Sequence, residues 1–293
     1  MNTAISLSKK SPATKIYYKE TKMTDRFTEC FKRLKQAEEG AFVPFVTLCD
    51  PNFDISYDIL KTLINAGADG LELGIPFSDP CADGVTIQLA DKRALSSGAS
   101  LDKCFKLISK IRAEYNDVPI SILCYSNIAI VRGLEKFYQD AAKAGIDAVL
   151  LADIPVEMVN KQHNFLKAAN DADIDLILIA PPNASDATLK KIAELSQGYT
   201  YALSRYGITG TDNALGKPKE MLRKLKEDNA APALLGFGIS TPEHVKEALE
   251  AGADGAIAGS AVVKIIENNL HDKGKMLAEI ENYVKAMKKA TKK

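Results

Sequence analysis

Two carboxylates in this 293-residue chain fall where a carboxylate can do chemistry. Glu72 interrupts the apolar run Leu71-Glu72-Leu73-Gly74, and Asp83 follows in the loop-like stretch Ile75-Pro76-Phe77-Ser78-Asp79-Pro80-Cys81-Ala82-Asp83-Gly84. In a strand, successive side chains alternate faces, so Leu71 and Leu73 point one way and Glu72 the other. A carboxylate on the inner face is costly to ionise without a partner. One reading is a structural Glu paired with a buried cation. Against it, the strand-like runs carry no Lys or Arg, and only Arg205, just past one of them, could approach. The other reading is a partly desolvated acid with a raised pKa, fit for general acid or base work near neutral pH. Asp83 is either an ordinary Asp-Gly turn residue or a second reacting group held above Glu72 by its loop.

The absences narrow the chemistry further. No strand-like run offers a lysine for a Schiff base. The five cysteines, at 30, 49, 81, 104 and 124, form no CxxC pair. His163, His244 and His271 read as helical and lie far apart, so no metal site is expected. Nothing calls for a cofactor. Acidic and basic residues balance at 38 each, which gives no pull toward nucleic acid or anionic membrane. No eighteen consecutive apolar residues occur. An odd count of scattered thiols suits a reducing, cytoplasmic setting. The lysine-rich end, residues 288–293, reads as a solvated helix terminus.

The elements that must position these groups repeat. Asn65-Ala-Gly-Ala-Asp-Gly-Leu-Glu-Leu-Gly74, Lys143-Ala-Gly-Ile-Asp-Ala-Val-Leu-Leu-Ala152 and Glu250-Ala-Gly-Ala-Asp-Gly-Ala-Ile-Ala-Gly259 share one pattern. Each ends a helix at glycine, turns at Asp and enters a buried parallel strand. With that joint as a ruler, strand-like runs fall at 42–47, 70–74, 119–125, 147–152, 175–180, 199–204, 233–237 and 255–258. Helical patterns separate them; the clearest is Ile55, Ile59, Leu63 and Ala66. Eight alternations predict an α/β fold of one closed (β/α)8 barrel, a TIM barrel, over residues 23–293. A doubly wound open sheet fits less well, because no glycine-rich turn follows the first strand. Residues 1–22 lack an apolar period and read as a flexible N-terminal extension, whereas Phe27, Cys30, Phe31 and Leu34 recur at helical spacing.

Barrels of this kind place reactive groups at the carboxyl ends of their strands. Phe45, Leu123, Tyr125, Tyr201 and Phe237 would supply apolar walls there, for a substrate with a flat or greasy part. Gly238, Gly259 and Ser260 lie after the seventh and eighth strands, where backbone N–H groups and a helix dipole commonly hold phosphate. Ser240-Thr241-Pro242-Glu243 also reads as a plain helix cap. Proton transfer by carboxylates on a phosphorylated small molecule is the chemistry that remains.

The strings GAFVPFVTL (40–48), LELGIPFSDPCADG (71–84), PPNAS (181–185), GYTYALSRYGITG (198–210), LGFGIS (235–240) and GSAVVKIIE (259–267) resemble the alpha chains of tryptophan synthase. The resemblance runs from about Met23 to the carboxyl end. It implies retro-aldol cleavage of indole-3-glycerol phosphate to indole and glyceraldehyde 3-phosphate, in the cytoplasm. It further implies Glu72 as acid and base, and Asp83 as acceptor of a hydrogen bond from the indole N–H. Tyr201 and Phe237 match the substrate pocket, Gly210, Gly238, Gly259 and Ser260 the phosphate contacts, and Thr209 a closing loop after the sixth strand. A beta chain, as partner in an alpha2beta2 tetramer, is implied too, with Asp79, Pro80, Asn127 and Pro155 at the contact. Four positions depart from the pattern: Cys49 for glycine, Cys81 for an aliphatic residue, Val85 for proline and Tyr206 for a small residue. Rival readings are another phosphate-binding barrel, such as an isomerase, and a regulatory subunit without turnover.

Overall fold

The computed structural model describes residues 25–161, 163–204 and 216–292. The chain begins with α1 (Arg26–Gln36), β1 (Ala41–Thr47), α2 (Phe53–Asn65) and β2 (Leu71–Gly74). Helices α3 (Val85–Ser96) and α4 (Leu101–Glu114) precede β3 (Ile120–Cys124). Likewise α5 (Ser126–Arg132) and α6 (Leu134–Ala144) precede β4 (Ala148–Leu151). Next come α7 (Phe165–Asp171), β5 (Asp175–Ala180), α8 (Asp186–Leu195) and β6 (Thr200–Leu203). The last quarter holds α9 (Gly216–Glu227), β7 (Ala233–Gly236), α10 (Pro242–Glu250), β8 (Gly255–Ala258), α11 (Ser260–Asn268) and α12 (Lys273–Lys289). Every strand pairs in parallel with the next, and β8 returns to β1, so the predicted barrel is closed.

Strand alternation divides the core in two. Ala41, Val43, Phe45, Ala148, Leu150, Ile177, Tyr201, Leu234 and Ile257 fill the barrel interior. Their sequence neighbours, such as Phe42, Val46, Leu71, Leu73, Ile122 and Val149, pack outward against the helices. Both faces exclude water, which is why the strands read as unbroken apolar runs. Phe27, Cys30 and Leu34 of α1 belong to the inner cluster, and the Phe27 ring lies 5.4 Å from that of Tyr199. The apolar stripe of α1 therefore plugs one end of the barrel.

The repeated joint does more than turn the chain. Gly67, Gly145 and Gly252 take φ of +104°, +86° and +103°, the left-handed region that a side chain would strain. The Asp two residues on then accepts an N–H at the start of a neighbouring strand. Asp69 takes Phe42 N at 2.9 Å, Asp147 takes Ile120 N at 2.8 Å and Asp254 takes Ala233 N at 2.8 Å. Each of these three carboxylates thus satisfies a strand-end donor and fixes its register.

Two expectations are corrected. His163 lies in a turn between β4 and α7 and His271 in a turn between α11 and α12, and only His244 is helical. The lysine-rich end is not simply solvated. Lys288 pairs with Asp69 at 2.8 Å and Glu39 at 2.9 Å, and Lys292 bridges to Glu39, tying α12 to the barrel base.

Candidate active site

Glu72 is 1% exposed, on the inner face of β2, with Phe45 of β1 and Ser121 of β3 as its register partners. Among the described residues no cation pairs with it. Its Oε1 instead accepts the Tyr199 hydroxyl at 2.6 Å. Burial pushes the Glu72 carboxyl up to about 7, and the Tyr199 hydrogen bond opposes that rise in part. Tyr199 went unnoticed in the sequence, although Tyr199-Thr200-Tyr201 alternates as a strand does and sends both rings inward.

Asp83 occupies the loop between β2 and α3. Its Oδ2 accepts the Tyr125 hydroxyl at 2.7 Å, and the tyrosine oxygen in turn accepts the Ala82 N–H at 2.9 Å. The Phe77 ring stacks on Tyr125 at 5.1 Å. Tyr125 therefore acts through Asp83, as a clamp on its carboxylate. Burial raises the Asp83 pKa, and the tyrosine hydroxyl works against that. Nearly two turns into α3, Asp91 is 5% exposed, and its hydrogen-bond partner among the described residues is the Thr47 hydroxyl, at 3.5 Å. Burial first, and then the charge of Asp83, push Asp91 up to about 8. The inward face of α3, made by Ile87, Ala90, Asp91 and Ala94, was the signal that could have flagged it.

Glu72 and Asp83 open on one cavity of about 450 Å³. Phe45, Leu123, Tyr201 and Phe237 wall it, and Gly238, Gly259 and Ser260 also line it. Gly236 is required there, since a Cβ would stand 2.3 Å from the Tyr201 hydroxyl. Phe237 and Gly238 turn at φ of +64° and +86°, and the Ser204 hydroxyl holds the Phe237 carbonyl. Helix α11 starts at Gly259 without a side-chain cap, which leaves its first N–H groups free for an anion. By contrast α10 is capped by Thr241, so the plain-cap reading holds at that helix. The cavity thus brings apolar walls and two carboxylates together with an N–H-rich helix start.

A sequence model of the family described as "Tryptophan synthase alpha chain" matches residues 31–292. This chain belongs to the tryptophan synthase alpha-chain family. It is 56% identical to the alpha chain of Vibrio vulnificus (strain YJ016) over 92% of its own length and 100% of the relative's. The alpha chain of Francisella tularensis (strain WY96-3418) is 53% identical over 92% of this chain and 99% of its own. Among solved structures, the alpha subunit from Legionella pneumophila str. Paris superposes with a TM-score of 0.83 at 28% identity, over 92% of this chain and 98% of that one. The tryptophan synthase complex from Pyrococcus furiosus gives 0.76 at 32% identity, over 85% and 98%.

The departures from the alpha-chain pattern now have places. Cys49 takes φ +63°, so its backbone has the left-handed form that the glycine of the pattern adopts freely. Cys81 is exposed on the Asp83 loop. Val85 is the first residue of α3, a position that suits proline because its N–H has no intrahelical partner. Asp50, three residues past β1, is engaged by Arg93, which holds both its oxygens at 2.8 Å. Arg205, Tyr206, Thr209 and Gly210 lie outside the described residues, as does the segment 1–22.

Proposed function

We propose that Glu72 and Asp83 carry the reaction of the family, cleavage of indole-3-glycerol phosphate into indole and glyceraldehyde 3-phosphate. The supporting observation is their shared cavity, whose lining also offers backbone donors for a phosphate. The indole lies among Phe45, Leu123, Tyr201 and Phe237. Its C3 gains a proton and the ring nitrogen becomes positive. The side-chain hydroxyl loses its proton, the C–C bond breaks, and its electron pair returns to the ring as the aldehyde forms. One proton is gained and one is lost, so a single group titrating near neutrality can serve both transfers. Glu72, at about 7, is that group. Asp83, ionised and steadied by Tyr125, accepts the indole N–H and stabilises the developing charge. Thr209 and Gly210 keep the loop and phosphate roles that the family resemblance gives them.

The enzyme is a lyase of tryptophan biosynthesis and works with a tryptophan synthase beta chain, as in the a2b2 complex from Pyrococcus furiosus. Asp79, Asn127 and Pro155 are exposed at the mouth and Pro80 is half-buried, which fits the proposed contact. Among the described residues no helix is long and apolar enough to cross a membrane. Five free thiols fit a reducing cytoplasm. The direct test is indole release from indole-3-glycerol phosphate, with and without a beta chain. Turnover by the chain that rises on adding the partner is expected; no indole under either condition would refute the reading.

A further inference from the structure

Ser121 is fully buried on the inner face of β3, beside Glu72 in the strand register, and does not line the substrate cavity. Its Oγ lies 3.2 Å from the Tyr199 hydroxyl and 3.2 Å from the Leu71 carbonyl. A carbonyl only accepts, and each hydroxyl carries one hydrogen and spare lone pairs. When Glu72 is ionised, the Tyr199 O–H points at Oε1 and Ser121 donates to Leu71. When Glu72 holds a proton and turns it to the tyrosine oxygen, the Tyr199 hydrogen needs another acceptor. Ser121 Oγ is that acceptor, because its own hydrogen is already placed on Leu71. Rotation of one hydroxyl hydrogen converts one arrangement into the other, with no heavy atom displaced.

We propose that Ser121 is a positioning residue that lets the Tyr199–Glu72 hydrogen bond reverse direction, so that both protonation states of Glu72 are equally well held. The proposal rests on Glu72 being the acid and base. Such a group must be stable with and without its proton within one turnover, and a tyrosine alone serves only the ionised form. The other groups near Glu72 do not take this role. Phe45 on the β1 side is apolar, and Tyr201 makes no hydrogen bond to Glu72. Asp83 is engaged by Tyr125.

Removing the acceptor strands a buried donor only in the neutral state, so Ser121→Ala should lower the proton affinity of Glu72. The experiment is the pH profile of indole formation by the full chain with its beta chain, for the parent and Ser121→Ala. The alkaline limb of kcat, set by Glu72 because it must hold the proton it gives to C3, is expected to move down by about one pH unit, a tenfold change in proton affinity, with KM within about twofold. If the alanine variant does not fold, Ser121→Cys keeps the volume with a poor acceptor and should move the limb the same way. In a Tyr199→Phe background the Ser121 change should have no effect on the limb, since it acts only through that hydroxyl. An unmoved limb, an upward shift, or an undiminished effect beside Tyr199→Phe would overturn the proposal. Glu72→Gln measured alongside separates the two failures. A fast Glu72→Gln enzyme defeats the acid/base reading itself, whereas a slow one with an unmoved Ser121→Ala limb defeats only the role of Ser121.

Discussion

Glu72 and Asp91 are buried carboxyls whose nearest polar contacts are hydroxyls, Tyr199 and Thr47. Their folded pKa values stand at about 7 and about 8, above the ordinary values of 4.5 and 3.8. Between the ordinary and the raised value the folded chain keeps a proton that the unfolded chain releases. Stability therefore falls as pH climbs through that window and stays lower above it. Asp91→Asn removes one such burden. Its thermal unfolding should match the parent near pH 4 and exceed it near pH 8, by on the order of 2–4 kcal/mol. A parent more stable at both values would mean that the Asp91 charge has a stabilising partner. Asp83→Asn should slow turnover strongly with little change in fold, as followed by kcat and circular dichroism, because an amide cannot balance a positive indole. Glu72 was legible in the sequence because strand alternation leaves an isolated charge nowhere to hide. Tyr199 was legible in principle from the same alternation. The clamp of Tyr125 on Asp83 was not, because nothing in the spacing tells a wall residue from one behind the wall.

At the scale of elements, the Ala-Gly-x-Asp joint shows where sequence reading stops. The helix end and the turn follow from local conformational preference, so they could be read directly. The donor that each Asp satisfies lies 21 or 27 residues away on another strand, and only the closed barrel brings the two together. Asp147 does more at such a joint than accept a strand N–H, since it also receives Arg26 at 2.7 Å and Arg112 at 2.8 Å. Asp147→Ala would leave a strand N–H and two guanidinium groups without their acceptor. A loss of about 3–5 kcal/mol in denaturant unfolding is expected, against about 1 kcal/mol for an ordinary turn residue. At the cavity, Gly259→Val should raise KM strongly, because a Cβ there would already stand 3.2 Å from the Phe45 ring and crowd the N–H groups of α11. Normal affinity in that variant would move the phosphate elsewhere.

For the whole molecule, eight parallel strands closed by β1 and β8 place Glu72, Asp83 and the uncapped start of α11 around one mouth, while α1 plugs the base. The alternation of elements made that architecture readable, because burial on both sheet faces leaves unbroken apolar runs. The tether of the carboxyl end through Lys288 was hidden, since a lysine run looks alike whether it is paired or solvated. Helix α1 is capped by Asp25 and packs through Phe27, Cys30 and Leu34. We propose that the segment before Met23 is dispensable: a chain begun at Met23 should keep its melting temperature and its turnover, and a large drop in either would show the opposite. The proposed reaction depends on Glu72 being the group that moves the proton. The measurement that tests this most directly is steady-state indole formation by Glu72→Gln in complex with the beta chain. A kcat lower by about two to four orders of magnitude, with KM near the parent's, is the predicted result; turnover within a few-fold of the parent would contradict it and leave Glu72 a structural residue.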